Sequence, residues 1–201
     1  MNKIEEIFVN HLKESINTKT YLLNNLNFRK KLIKIIQVVS TSISTKRKIL
    51  TCGNGGSLSD AQHMTAEFMV RLRKNFIRGP IPSITLGVDS PTITAHTNDF
   101  NFTSLFSRGV EAFGSKNDCL IVFSTSGKSK NIIEALKIAK KMKIKTIGFL
   151  GNDGGTAKKY CNYSLIVPSK KTPFIQECHI CLIHILVQAV EESVFKNKLI
   201  K

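Results

Sequence analysis

The stretch Thr51–Glu67 places a glycine-rich turn directly ahead of a histidine and a glutamate. Three glycines stand in this turn: Gly53, Gly55 and Gly56. Glycines let backbone amides approach an anion closely, and the N-terminus of a following helix favours negative charge at that point. His63 and Glu67 are four residues apart, so on a helix they share one face and can hold one metal ion or one substrate. The stretch therefore predicts a strand, a ligand-binding turn and a helix that carries a polar pair.

A second polar turn, Ser124–Ser129, ends in Gly-Lys-Ser and invites comparison with a nucleotide P-loop. The P-loop pattern requires a glycine five residues before Gly127, where this chain has Val122. The remaining possibilities are a phosphate-monoester site, built from hydroxyls and free amides at a helix N-terminus, and an ordinary capped turn. The glycine turn likewise lacks the dinucleotide fingerprint, because Leu58 stands where Gly or Ala is expected.

The last helical stretch, residues 175–188, is strongly apolar and yet contains Gln176, His179 and His184. Buried polar side chains need partners. Gln176 and His184 lie eight residues apart on one helical ridge and could face a common site. A histidine satisfied within the core is the alternative.

The pattern of apolar residues predicts an α/β fold in one domain, residues 1–201, with a helical pair in 1–46 and an α/β core in 47–201. Two amphipathic helices, 3–23 and 28–45, come first, and each needs a sheet face or another subunit to cover its apolar side. The predicted strands are 47–52, 83–87, 119–123, 145–150 and 163–167. Helices are expected at 57–73, from Asp89 to a polar loop at 95–100, at 103–113, at 131–143 and at 174–197, with a short one after residue 155. Because strands and helices alternate, the sheet is predicted to be parallel with helices on both faces, and both polar turns fall at its carboxyl edge, where ligands bind.

The composition is that of a folded domain, with 42% hydrophobic and 22% charged residues, but the formal charge is +16. Lysines are scattered along the chain and no nucleic-acid-binding motif accompanies them, so we expect a solvated basic surface and no nucleic-acid partner. The five cysteines lack secretory spacing, and the N-terminus lacks a signal-peptide core. No apolar run reaches the roughly 20 residues of a membrane span. We therefore expect a cytoplasmic protein without a membrane partner.

Several motifs together resemble the phosphoheptose isomerases, which are sugar isomerase (SIS) domain proteins. The motifs run in order from about residue 5 to 197: Cys52–Ser57 with Asp60–His63 and Glu67, Asn98–Phe100, Ser124–Gly127 with Ser129, Gly151–Gly155, and Ile175–Glu177 with His179 and His184. The resemblance implies a flavodoxin-like three-layer sandwich and a homotetramer with active sites at subunit interfaces. It also implies conversion of sedoheptulose 7-phosphate to D-glycero-D-manno-heptose 7-phosphate, for nucleotide-activated heptose in lipopolysaccharide or capsule.

The same resemblance assigns roles to individual residues. One zinc ion per subunit would be bound by His63, Glu67, Gln176 and His184. The substrate would contact Asn54, Gly55, Gly56, Ser57, Glu67, Asn98, Asp99, Ser124, Thr125, Ser126, Ser129 and Gln176. Glu67 and His184 would act as base and acid, as an enediol mechanism requires. Lys128 and the pair Pro173–Phe174 depart from the family pattern, which often has Asn and Arg there.

Three other functions compete with this one. The first is a non-catalytic relative of the same fold that binds a replication initiator as an adaptor. The second is an isomerase of another sugar phosphate, and the third, suggested by charge alone, is a nucleic-acid binder. The presence of both Glu67 and His184 favours the enzyme over the adaptor.

Overall fold

The structure is a computed structural model that describes residues 2–196. Two long helices come first, α1 (Lys3–Asn24) and α2 (Leu26–Ser44). They are separated by Asn25, whose side chain accepts a hydrogen bond from the Phe28 amide at 2.9 Å and so caps α2. An asparagine at this position satisfies a free amide of the first turn. The predicted N-terminal helical pair is therefore present.

The remaining elements alternate between strand and helix as predicted. The strands are β1 (Ile49–Gly53), β2 (Ser83–Thr85), β3 (Cys119–Ser124), β4 (Lys145–Gly151) and β5 (Tyr163–Val167). The helices are α3 (Gly56–Met69), α4 (Ser90–Asp99), α5 (Leu105–Phe113), α6 (Lys130–Lys141) and α7 (Thr172–Phe195), with short 3₁₀ turns at Phe102–Ser104 and Ala157–Tyr160. Residue 197, the predicted end of the last helix, lies outside the described residues.

All five strands pair in parallel, in the order β2-β1-β3-β4-β5. This is the flavodoxin-like order, which confirms the predicted fold class. Alternate residues of β3 point to opposite sides: Ile121 and Phe123 pack on the side of α2, α3 and α7, while Leu120 and Val122 pack on the side of α5 and α6. The sheet is thus covered on both faces, as its continuous apolar strands require.

Several predicted boundaries were off by about two residues, and three differences have a structural explanation or change an assignment. Helix α3 ends at Met69 rather than residue 73, because Arg78 bonds the last carbonyls of the helix. Strand β2 ends at Thr85 rather than 87, where Gly87 has a φ of +65°. The expected loop at 95–100 is instead the last part of α4, which continues to Asp99.

Within residues 2–196, α7 is the one helix whose length and composition would allow it to cross a membrane. Its apolar residues, among them Ile175, Leu182, Ile183 and Leu186, are buried in the core formed with the sheet, α2 and α3. A core helix of this kind satisfies the same criteria as a membrane span, and here its packing explains its composition.

Candidate active site

The glycine turn between β1 and α3 is tight enough to require glycine. Gly55 has φ +55° and ψ −127°, a conformation that side-chain-bearing residues rarely adopt. A Cβ atom on Gly53 would lie 2.2 Å from the carbonyl oxygen of Ser57, where the chain turns back on itself. The Ser57 amide donates to the Asn54 carbonyl at 3.1 Å, and the Ser57 side chain is buried. The turn is therefore preformed, with Asn54, Gly55 and Gly56 at its tip.

A pair of asparagines joins this turn to the serine-rich turn after β3. The side-chain amide of Asn54 donates to Asn131 Oδ1 at 2.9 Å, and the Asn131 amide donates back to Asn54 Oδ1 at 2.9 Å. Asn131 lies in the first turn of α6 and is buried. Asn131 was not among the predicted site residues, although a polar residue directly after a predicted ligand loop is a usable signal.

The serine-rich turn Ser124–Ser129 holds itself in place by its own hydroxyls. Ser124 Oγ accepts from the Gly127 amide at 3.0 Å, and Ser126 Oγ accepts from the Lys128 amide at 3.2 Å. Gly127 has φ +62°, and a Cβ atom there would lie 2.1 Å from the Gly154 carbonyl oxygen. The turn is thus packed against the glycine loop after β4.

Two hydroxyls of this turn remain free to bind a ligand. Ser129 precedes α6 but its hydroxyl makes no hydrogen bond to the first turn of that helix. Thr125 is half-buried within the serine-rich turn. Together with the amides at the N-terminus of α6, they are suited to a phosphate group. Lys128 is exposed beside them and adds a positive charge.

Helices α3 and α7 lie side by side and point in the same direction, and the polar residues of both meet in order. A Cβ atom on Gly56 would lie 2.5 Å from Gln176 Nε2, so these residues are in contact at the start of both helices. Further along, His63 Nε2 lies 2.8 Å from His184 Nε2. Glu67 Oε1 is 3.8 Å from the same His63 nitrogen. The structure therefore brings His63, Glu67 and His184 together, as predicted.

Gln176 belongs to the same helix interface but lies nearer the glycine turn. Eight residues of α-helix separate it from His184, a rise of about 12 Å along α7. Within residues 2–196, no three His, Cys, Asp or Glu side chains already converge on one metal-sized point. Two facing imidazoles with a carboxylate beside them are nevertheless ligand types that zinc prefers. The donor set of His63, Glu67 and His184 thus fits a zinc ion by its chemistry.

Asn98 and Asp99 are not part of this cluster in a single chain. They lie at the exposed end of α4, and Asn98 Nδ2 donates to Asp99 Oδ1 at 2.9 Å. In the part of the chain that the structure describes, their side chains make no hydrogen bond to the glycine turn, the serine-rich turn or α7. Their predicted contact with substrate stays a prediction.

The end of α3, which carries Glu67, is held by Arg78. The guanidinium donates to the carbonyl oxygens of Glu67 at 2.7 Å and Phe68 at 2.9 Å, and to Glu191 Oε1 at 2.9 Å. The side chains of Arg78 and Glu191 are both fully buried. Arg73 also bonds Glu191, at 3.2 Å. Arg78 and Glu191 were not among the predicted residues, and their one signal in the sequence is an acidic residue at the end of the apolar face of α7.

Helix α1 is anchored to α7 through Glu177, the neighbour of Gln176. His11 and Lys19 contact its carboxylate at 2.9 and 3.2 Å, and Ser15 donates a short hydrogen bond to it. Burial raises the pKa of Glu177, but these hydrogen bonds outweigh it and lower the pKa to about 2. Glu177 therefore stays ionised and ties α1 to the start of α7.

One more polar pair lies between α3 and α7. His179 Nδ1 is 3.9 Å from Asp60 Oδ2, and both side chains are buried. Burial raises the pKa of Asp60 to about 7 and lowers the pKa of His179 to about 4. At neutral pH the imidazole is thus uncharged.

This arrangement, a parallel sheet with two preformed polar turns at its carboxyl edge and a histidine-carboxylate cluster between two helices that begin there, defines a ligand-binding α/β domain of the sugar isomerase class. A family model described as the SIS domain matches residues 19–151. The phosphoheptose isomerase of Clostridium acetobutylicum is 43% identical over 93% of this chain and 94% of its own length. That of Aneurinibacillus thermoaerophilus is 41% identical over 94% of this chain and 95% of its own.

Solved structures of phosphoheptose isomerases have the same fold as this chain. The phosphoheptose isomerase of Francisella tularensis superposes with a TM-score of 0.88 at 31% identity, covering 96% of this chain and all (100%) of that one. The enzyme from Neisseria gonorrhoeae gives 0.87 at 33% identity, covering 94% and 100%. The chain belongs to the phosphoheptose isomerase family.

Proposed function

We propose that this protein is an aldose-ketose isomerase that converts sedoheptulose 7-phosphate to D-glycero-D-manno-heptose 7-phosphate through an enediol. The observation that supports it best is the meeting of Glu67, His63 and His184 between two parallel helices. A non-catalytic adaptor has no use for this acid-base set. Membership of the family favours the same reaction.

The reaction moves one proton between adjacent carbons and needs a base on carbon and an acid at the carbonyl oxygen. Glu67 supplies a carboxylate as the base, and His184 supplies an imidazole N–H as the acid. His63 contacts both residues and orients them. The free hydroxyls and amides of Thr125 and Ser129 bind the phosphate, while the tip of the glycine turn binds the sugar end.

We propose one zinc ion per subunit, held by His63, Glu67 and His184, with Gln176, which lies nearer the glycine turn in the single chain, as the fourth ligand. When bound, it would polarise the substrate carbonyl and stabilise the developing oxyanion. Glu67 or His184 would loosen its bond to the metal during turnover, because neither residue can be a tight ligand and a free base or acid at once. Zinc titration by calorimetry tests the ligand set, since wild-type protein should bind about one ion per chain and His63→Ala should bind it much more weakly. Equal affinity in both proteins would contradict the assignment.

We further propose a homotetramer with active sites at subunit interfaces. Helix α1 presents a row of exposed apolar side chains: Ile4, Ile7, Phe8, Leu12 and Ile16. Beside it, an apolar cleft of about 590 Å³ opens between α1, α2 and α7. Exposed apolar surface of this extent is typical of an interaction site. We place the substrate contacts of Asn98 and Asp99 at such an interface, because both lie on the surface of the single chain.

Light scattering tests the assembly. Wild-type protein should have four times the mass of one chain, and Ile7→Asp with Phe8→Asp should lower it. A wild-type monomer would contradict the proposal. We also propose that the protein works in the cytoplasm, that its product enters nucleotide-activated heptose synthesis for lipopolysaccharide or capsule, and that the basic surface has no nucleic-acid partner.

The reaction is tested by incubating purified protein with sedoheptulose 7-phosphate, with and without zinc, and measuring the heptose 7-phosphate formed. Glu67→Gln and His184→Ala should each lose at least about 100-fold in kcat, as expected for a general base or acid. The matched control is Glu134→Gln, since Glu134 pairs with Lys137 on the exposed side of α6. A silent wild-type protein would contradict the isomerase, and activity that survives both substitutions would contradict the site.

A further inference from the structure

Asp60 and His179 form a buried polar contact between α3 and α7 that no step of the proposed reaction uses. Asp60 is one turn before His63 on α3, and His179 is about one turn after Gln176 on α7. The side chain of His179 is completely buried, and that of Asp60 nearly so. The contact therefore lies between the Gly56–Gln176 contact and the His63–His184 contact, within the interface that builds the site.

These two side chains hold most of the unpaired buried polar atoms among the described residues. Five buried side-chain atoms of residues 2–196 have no hydrogen-bond partner: Asp60 Oδ2, both ring nitrogens of His179, Ser40 Oγ and Arg73 Nη2. Buried Thr51, Asn131 and Thr146 are, in contrast, all hydrogen-bonded. Burying unpaired polar groups is unfavourable, and proteins tolerate such exceptions mainly where function requires them.

The two groups are complementary at neutral pH. The burial that raises the pKa of Asp60 and lowers that of His179 favours a protonated carboxyl beside a neutral imidazole. A carboxylic O–H can donate to an unprotonated ring nitrogen. The ring is held edge-on against Phe123 and Phe149, with centroids 5.9 and 6.0 Å away, so it is fixed from the side of the sheet.

The gap between them is about 1 Å longer than a hydrogen bond. Asp60 Oδ2 and His179 Nδ1 are 3.9 Å apart. A hydrogen bond between such atoms is about 2.9 Å, so forming it requires the two groups, and the helices that carry them, to approach by about 1 Å in total. A shift of about 1 Å is large for a catalytic site.

We propose that Asp60 and His179 are a positioning pair: a single hydrogen bond between them sets the separation of α3 and α7 and so places Gln176 and His184 relative to His63 and Glu67. The inference rests on the proposed isomerase function. Neither residue contacts substrate in this proposal. Each acts through the helix that carries it.

The experiment compares kcat, KM for sedoheptulose 7-phosphate and thermal unfolding in Asp60→Ala, His179→Leu and the double variant. Each single variant leaves one buried polar group alone and should lower both the unfolding temperature and kcat, the latter about tenfold, with KM changed less than about threefold. The double variant removes both polar groups and should regain much of the unfolding temperature but none of the kcat. Thr146→Val is the matched control, since it removes a buried hydroxyl near the start of β4, at the edge of the sheet opposite the polar turns. It should lower the unfolding temperature without changing kcat.

Asp60→Asn and Asp60→Glu test the spacing directly. Asn keeps an N–H donor at the same distance and should retain kcat within about threefold. Glu adds one methylene, separates the helices and should lower kcat about tenfold. These two variants also test the positioning role if Asp60→Ala or His179→Leu does not fold.

Three results would overturn the inference: a double variant that regains kcat together with stability, equal kcat in the Asn and Glu variants, or a Thr146→Val variant that loses kcat as strongly. The wild-type protein in the same assay separates a failure of the isomerase function from a failure of the positioning role. An inactive wild type contradicts the isomerase itself, whereas an active wild type with an equally active double variant contradicts only the positioning role.

Discussion

Replacing Gly56 with alanine should abolish most activity without weakening the fold. Gly56 is the first residue of α3, and its backbone is not in the left-handed region that only glycine tolerates well. The new Cβ atom would lie 2.5 Å from Gln176 Nε2 and 3.0 Å from its Oε1. Ordinary contact begins at 3.4 Å, so the amide of Gln176 must retreat by about 0.9 Å. The amide is the far end of a flexible side chain, and it will move before the backbone does.

The structure sets the size of both effects. A displacement of about 1 Å at a catalytic site lowers the rate about 100-fold, so we expect kcat to fall by that factor. Alanine in a helix is more favourable than glycine by up to about 1 kcal/mol. The unfolding temperature of Gly56→Ala should therefore equal or slightly exceed that of the wild-type protein.

Steady-state kinetics and thermal unfolding, measured on the same preparation, check this prediction. The control is Gly127→Ala, where the new Cβ would meet a backbone oxygen at 2.1 Å and φ is +62°, so this variant should lose stability. Gly56→Ala combined with Gln176→Ala should be no less active than Gln176→Ala alone, because both act on one side chain. Wild-type kcat in Gly56→Ala, or multiplicative losses in the double variant, would refute the reasoning.

Three further predictions concern the surroundings of the site. Arg78→Met leaves the buried carboxylate of Glu191 with Arg73 as its remaining ion-pair partner and should cost at most about 3–5 kcal/mol in urea unfolding, and a wild-type midpoint would contradict this. Hydrogen bonds lower the pKa of Glu177 to about 2, so its contribution to stability is complete above the unfolded pKa near 4.5 and is lost as the pH falls from 4.5 towards 2. In Glu177→Gln the free energy of unfolding should therefore change less with pH in that window, and an unchanged pH dependence would argue against this. Asn131→Ala breaks the bond between the two polar turns and should raise KM more than it lowers kcat, whereas an unchanged KM would show that the turns hold their positions independently.

The order of elements could be predicted from the sequence because each element leaves a local signal. Strand β3 is a continuous apolar run, as a strand buried on both faces must be. The end of α3 could not be predicted, because Arg71–Lys74 looks like the basic last turn of a helix. The true end depends on Arg78, whose bond to Glu191 spans 113 residues of sequence. No local pattern encodes a contact at that distance.

The same distinction explains the site. The spacing of His63 and Glu67 encodes a shared helical face, and the structure confirms that the two lie side by side. The spacing of Gln176 and His184 also encodes a shared face, but not how far the neighbouring helix lies from each of them. Distances between helices depend on side chains that pack across the interface, and these become visible only in three dimensions.

Topology explains why the polar residues of α3 and α7 meet in order at all. In a parallel sheet every connecting helix runs back against the strands, so α3 and α7, although far apart in sequence, both begin at the carboxyl edge and point the same way. Residues at equal depth therefore face each other: Gly56 with Gln176, Asp60 with His179, and His63 with His184. One residue inserted into either helix would rotate everything beyond it by about 100° and separate these pairs. The spacing along each helix is thus a requirement of the site itself, and the glycine at the start of α3 is part of it because only a residue without a side chain leaves room for Gln176.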